Sequence, residues 1–105
     1  QLFGRVISNL IINGIQAVDS DSEANILVVL TQNGQSVTLE IRDNGKGVDE
    51  ELKEKIFMPN FSTKSEGSGL GLAIAKRGVE TAGGKIWFIT KMNMGTSFYL
   101  SFPLL

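Results

Sequence analysis

The chain has 105 residues, 42% of them hydrophobic, and its 10 basic and 11 acidic side chains leave a net charge of −1. That length supports one small domain over residues 1–105. The charge balance leaves no electrostatic footprint for nucleic acid, and the longest unbroken apolar run, residues 26–30, is far short of a membrane span. Cysteine and histidine are both absent, which excludes disulfides, thiolate metal sites and chemistry built on an imidazole. The chain opens inside an apolar-periodic stretch, with no methionine and no leader pattern, and reads as a piece of a longer protein.

Residues 2–18 carry a helical pattern. At about 100° per residue, Phe3, Val6, Ile7, Leu10, Ile11, Gly14, Ile15 and Val18 fill one broad arc, and Arg5, Ser8, Asn9, Asn13 and Gln16 fall opposite, with Ile12 among them. A polar loop at 19–22 ends that helix. Residues 26–31 and 36–41 read as strands joined by a hairpin turn of the Asn-Gly kind at 32–35. A loop at 43–47 leads to a short, highly charged helix at 49–57, and residues 58–66 are polar and irregular. A second long helix is expected over 69–82, closed by Gly83-Gly84. Strands at 85–90 and 96–102 form a last hairpin. The order α-β-β-α-α-β-β predicts an α/β (α+β) two-layer sandwich, its sheet mixed or mainly antiparallel, with helices on one face.

Four stretches carry chemistry. Asn9 and Asn13 are one helical turn apart on one face, and Asn13 borders the apolar arc. An amide oxygen there suits Mg²⁺, which keeps most of its waters and bridges substrate phosphates. The alternative is two asparagines on a solvated face. Asp43-Asn44-Gly45-Lys46-Gly47 places a carboxylate where a strand ends, with two glycines to turn the backbone beside it. In an apolar slot such an acceptor-only group matches an exocyclic amine such as that of adenine. A plain strand-ending turn uses the same residues.

Next, Phe57 and Phe61 punctuate an irregular stretch and suggest a flap pinned by hydrophobic anchors, with Lys64 a point charge for phosphate. A surface loop with satellite packing is the bland reading. Finally, Gly67-Ser68-Gly69-Leu70-Gly71-Leu72 runs straight into a stretch of helix formers. Alternating glycines bring backbone close to a ligand, and free N–H groups at a helix start attract anions. A flexible turn before an ordinary helix fits as well. Other phosphate motifs fail on spacing: there is no Gly-x4-Gly-Lys-Ser/Thr loop, and the glycines at 67, 69 and 71 do not follow a strand. The Gly-rich loop, strand lysine and His-Arg-Asp set of the protein kinases is missing too.

Taken in order, these stretches resemble the ATP-binding catalytic domain of sensor histidine kinases, within the gyrase, heat-shock chaperone, histidine kinase and mismatch-repair superfamily. Residues 5–14 resemble its asparagine box, Asp43-x-Gly45-x-Gly47 its first glycine box, and residues 57–61 its phenylalanine box. Gly67-x-Gly69-Leu70-Gly71-Leu72 matches its second glycine box, and Gly83-Gly84-Lys85-Ile86 with Gly95-Thr96-Ser97-Phe98 its closing hairpin. Gln16-Ala17, the Ser62-Thr63-Lys64 triplet and the short lid are most similar to the nitrogen-regulation type.

The resemblance implies a Bergerat-type ATP-binding fold lacking its usual opening strand, and hence N-terminally truncated. It implies that Asp43 binds the adenine amino group, with Thr96 assisting, that Asn13 ligates Mg²⁺, and that Asn9 lies beside the phosphates. The amides of residues 67–71 would cradle those phosphates under a lid at 58–66 anchored by Phe57 and Phe61, with Lys64 reaching the γ-phosphate. The partners implied are ATP, a histidine-bearing dimerisation domain of the same parent protein and a downstream response regulator. The implied location is cytoplasmic, without membrane contact by this segment. Hydrolysing members of the superfamily commonly place a glutamate where Asn9 stands, and an amide is no general base, which favours phosphoryl transfer. The alternatives are an anti-sigma-type serine kinase or related ATPase of the same fold, and a nucleotide-free interaction fragment. Gln16, Gly14 and Asn60 depart from the family pattern: a basic residue is commoner at 16, alanine at 14 (a helix cost of about 1 kcal/mol), and Asn60 interrupts an aromatic pair.

Overall fold

A computed structural model describes residues 2–58 and 71–104, with side chains from residue 4 on. The elements are α1 (Leu2–Gln16), β1 (Leu27–Asn33), β2 (Ser36–Arg42), a 3₁₀ turn at Glu50–Leu52, α2 (Gly71–Thr81), β3 (Lys85–Lys91) and β4 (Gly95–Pro103). The strands lie in the order β1-β2-β4-β3, and all three pairings are antiparallel. Of the mixed and the mainly antiparallel sheets expected, the described strands form the antiparallel one. Two tight hairpins joined through their inner strands leave no parallel neighbour to pair.

The alternation of β4 places Thr96, Phe98 and Leu100 on the helix-covered face and Ser97, Tyr99 and Ser101 on the other. Register then stacks Ile86 and Leu39 on either side of Leu100, and Phe88 and Ile41 on either side of Phe98. Val6 and Leu10 of α1 and Ala75 and Val79 of α2 cover this face, and Ile56 closes the core from the loop before α2. Gly78 and Ala75, both buried, let α1 and α2 pack side by side. The described elements cover neither face of the edge strand β1, so Leu27, Val28 and Leu30 stay exposed.

Local signals placed most boundaries within two residues, and two details differ. The first hairpin turns at Gly34-Gln35 rather than at Asn33-Gly34, because Asn33 pairs with Ser36. Gly34 takes φ 61°, the first central position of a II′-like turn. The expected helix at 49–57 is a single 3₁₀ turn running into further turns, and Asp49 makes no side-chain cap. Ile56 is drawn into the core and Phe57 packs against it, which outweighs the helix propensity of a short charged stretch. The described part of the second long helix starts at Gly71 and ends at Thr81, where Gly83 at φ 85° and the bonds from Gly84 N to Val79 O (2.9 Å) and Gly83 N to Glu80 O (3.0 Å) form a Schellman cap.

Candidate nucleotide site

Asp43 is the first residue beyond β2, and its side chain is buried. Its backbone N–H donates to the Thr96 carbonyl at 2.9 Å, which extends the β2–β4 pairing by one bond. Its carboxylate Oδ1 accepts the Gly45 amide at 2.8 Å, closing an Asx turn, and the Thr96 amide at 3.2 Å. These bonds orient the carboxylate plane, with Oδ2 on the side of Gly14 in α1. Buried carboxylates otherwise incur a large desolvation cost, so the amides explain how this one is held.

The loop after Asp43 is sewn to its neighbours by the backbone. Lys46 N–H donates to the Ala17 carbonyl at the end of α1 (3.1 Å), and the Lys46 carbonyl accepts the Asn93 N–H of the β3–β4 turn (2.8 Å). Such proximity leaves no room for side chains. A Cβ on Gly45 would meet the Ala17 Cβ at 2.6 Å, and one on Gly95 would overlap the Asp43 carbonyl. Gly47 adds φ 84° to a close approach against Lys91. Asn44 anchors the loop from outside, accepting the Asn25 amide (2.8 Å) and donating to the Glu23 carbonyl (2.9 Å).

Beneath Asp43 lies a hydroxyl pair that local sequence patterns did not single out. Thr90 and Thr96 face each other across β3 and β4, and their Oγ1 atoms share a hydrogen bond of 2.8 Å. Thr90 Oγ1 accepts the Val48 amide at 2.9 Å and donates to the Gly95 carbonyl at 3.3 Å. Either hydroxyl can donate in the bond between the two threonines, and in both cases Thr96 Oγ1 keeps a lone pair that can accept. The signal that finds this pair is register: two threonines opposite one another on an otherwise apolar sheet face.

Asn9 and Asn13 are both half-buried on α1, one turn apart as the periodicity predicts. Asn13 is joined to the cluster through the next residue. Gly14 is buried, and a Cβ there would sit 2.9 Å from Ile26 Cδ1 and 3.1 Å from Asp43 Cβ. The glycine that weakens the helix is thus the residue on which Asp43 rests. Phe57 points into the core, edge-on to Phe88 (5.9 Å between centroids) and Phe98 (6.2 Å), with Lys76 Nζ 5.9 Å from its ring. Gly71 is the first described residue of α2, and no atom of the described residues lies near the position of a Cβ there. The structure therefore brings Asp43, Gly45, Gly47 and Thr96 together beside α1, while Phe57 packs in the core against Phe88 and Phe98. Phe61, Lys64, Gly67, Ser68, Gly69 and Leu70 lie outside the described residues.

Among the described residues no group of three or more His, Cys, Asp or Glu side chains gathers as a metal cage. A divalent ion held here would rest on an amide such as Asn13, on water and on phosphate oxygens, the donor set that Mg²⁺ accepts. No described helix is long and apolar enough to cross a membrane.

Comparison with known proteins gives a consistent result. The family model described as histidine kinase-, DNA gyrase B-, and HSP90-like ATPase matches residues 1–105. A probable C4-dicarboxylate sensor kinase of Halalkalibacterium halodurans is 37% identical over 101 residues, covering 93% of this chain and 19% of the relative. The sensor histidine kinase ZraS of Escherichia coli K12 is 37% identical over 100 residues, covering 95% of this chain and 21% of the relative. The chain thus spans about a fifth of the length of these relatives. Among solved structures, the catalytic domain of histidine kinase ThkA superposes with TM-score 0.83 at 36% identity, covering 97% of this chain and 66% of that one. The mycobacterial sensor histidine kinase MprB gives TM-score 0.85 at 26% identity, covering 97% and 72%.

Proposed function

The chain belongs to the histidine kinase-, DNA gyrase B- and HSP90-like ATPase family, and from that premise we propose that it is the Mg²⁺-ATP-binding catalytic module of a sensor histidine kinase. The observation that carries this reading is Asp43: a buried carboxylate, oriented by two backbone amides, beside a threonine hydroxyl that still accepts. Two acceptors side by side match an exocyclic amino group, and adenine has one. Charge-assisted bonds of this kind contribute roughly 1.5–3 kcal/mol each.

In this reading adenine lies against the 43–47 loop, and the phosphates lie toward Asn9, Asn13 and the start of α2. The first amides of α2 have no intrahelical partner, and Gly71 leaves the approach to them open. Residues 67–70 and Lys64 complete the phosphate contacts, and Phe57 and Phe61 anchor a lid over them. Asn13 offers its amide oxygen to Mg²⁺, which when bound neutralises charge on the transferring phosphoryl group. The remaining contribution of the chain is positioning, because no histidine is available as acceptor. The acceptor is a histidine in a separate dimerisation domain of the parent protein, and a response regulator takes the phosphoryl group onward. Asn9 cannot activate water as a carboxylate would, so transfer is favoured over hydrolysis.

Calorimetry of ATP binding with and without Mg²⁺ tests the adenine assignment. Asp43→Asn keeps an oxygen for the Gly45 and Thr96 amides but loses the charge, and is expected to weaken ATP binding by about 10- to 100-fold. Unchanged affinity would overturn the assignment. Supplying the parent's dimerisation domain with labelled ATP tests the acceptor: an acid-labile product is expected, since phosphohistidine is lost in acid. An acid-stable phosphoserine would reassign the chain to the serine kinases of this fold.

A further inference from the structure

The face of the sheet turned away from the helices departs from its own rule along its two edge strands, β1 through Leu27 and Val29 and β3 through a longer row. A sheet with one face in water carries polar residues outward. β2 and β4 obey, presenting Thr38, Glu40, Arg42, Ser97 and Ser101 around Tyr99. β3 presents Lys85, Trp87, Ile89 and Lys91, and its turn adds Met92 and Met94. Of these, Ile89 is 63% exposed and Met94 65%, while Trp87 retains 40% although it stacks on Tyr99. A large rigid ring, a branched aliphatic and two adaptable thioethers in one row have the composition of a binding surface.

The charges on this face indicate its partner. Glu40 is the one acidic side chain that β1–β4 turn outward, and it is already neutralised, accepting from Arg42 Nε at 3.0 Å and from Tyr99 Oη at 3.4 Å. Lys85 and Lys91 form no ion pair among the described residues and stand at the two ends of the apolar row. With Arg42 the face holds three cations against one anion, on a chain whose net charge is −1. Two copies laid face to face would oppose lysine rows, which disfavours self-association through this surface. Beside Lys85 a depression of about 330 Å³, lined by Gln35, Ser36, Gly83, Ser101 and Pro103, offers a recess for an acidic side chain next to the ammonium.

We infer that the outer face of β3 docks an acidic amphipathic helix of a partner protein, its apolar stripe on Trp87 and Ile89 and its carboxylates on Lys85 and Lys91. The dimensions fit. Six residues of strand span about 20 Å, and a helix covers that distance in about 13–14 residues, of which a spacing of about 14 falls just short of four turns and returns to the same side. Two acidic residues so spaced on one side of a helix meet both lysines. The docking row ends at the turn whose Asn93 amide is bonded to Lys46, so the occupant touches the support of the Asp43 loop without entering it.

Trp87 is the only tryptophan, so its emission reports on the surface directly. The probes are two synthetic helices of about 18 residues, one of leucine and glutamate in amphipathic spacing, the other with lysine replacing glutamate. The leucine–glutamate helix is expected to shift Trp87 emission to shorter wavelength saturably, with affinity falling at least 5-fold, as an order of magnitude for screened charges, between about 0.05 and 0.3 M salt. The leucine–lysine helix is expected not to bind. Lys85→Glu with Lys91→Glu, both exposed and so compatible with the fold, inverts that preference, and Ile89→Ser weakens binding by about 10-fold. Amide shifts are expected along β3, residues 92–94 and Lys46. Equal binding of both helices, a preference indifferent to charge reversal, shifts centred on α1 and α2, or no binding would each overturn the inference.

Discussion

Thr90 ties together three segments that meet around Asp43. Its hydroxyl accepts the Val48 amide, shares a hydrogen bond with the Thr96 hydroxyl and lies within reach of the Gly95 carbonyl. Valine has nearly the same shape but none of this capacity. Thr90→Val is therefore expected to leave buried donors without partners and to cost about 1–3 kcal/mol, read as a lower denaturant midpoint with an unchanged slope. Thr90→Ser, which keeps the oxygen, should recover most of the loss. Asp43 and its two glycines were legible as a box in the sequence because they lie within five residues. Thr90 was not, because its meaning depends on which residue faces it across a hairpin.

At the scale of elements, α2 separates binding from folding. Among the described residues Gly71 has open space where a Cβ would go, and alanine is the better helix former. Gly71→Ala is thus expected to keep or raise thermal stability while weakening ATP binding several-fold, because the added methyl stands where phosphate approaches the helix start. Parallel losses of stability and affinity would reduce Gly71 to a helix-starting turn. At the other end of α2 the expected outcome reverses. Gly83→Ala forces a Cβ into the left-handed region of the Schellman cap and should cost roughly 1 kcal/mol, with no effect on nucleotide. The charged stretch at 49–57 teaches the complementary lesson. Its composition favours a helix, yet Ile56 is claimed by the core and the backbone settles for turns.

For the molecule as a whole, acid stability depends in part on the outer sheet face. The Arg42 guanidinium bonded to Glu40 holds that carboxyl below the usual glutamate range, aided by Ser97 and Tyr99 against the opposing effect of burial. A lowered folded value means the contribution is present above the unfolded pKa of about 4.3 and is lost as pH falls through the folded one. Glu40→Gln should therefore flatten the fall in melting temperature below about pH 4.5 and leave its slope at neutral pH unchanged. The sequence by itself determined the two long helices, the two hairpins and the positions of the asparagines, the Asp43 loop and the glycine-rich stretch. Those signals are local: periodicity, turn chemistry and caps act within a turn or two of the chain. Only the tertiary structure decided that β2 pairs with β4, that Thr90 shares a hydrogen bond with Thr96, and that Gly14 is the surface against which Asp43 packs. The physical reason is that these contacts exist only once the hairpins have joined and α1 has settled on their inner face, and no local pattern encodes which polar groups that assembly leaves facing one another.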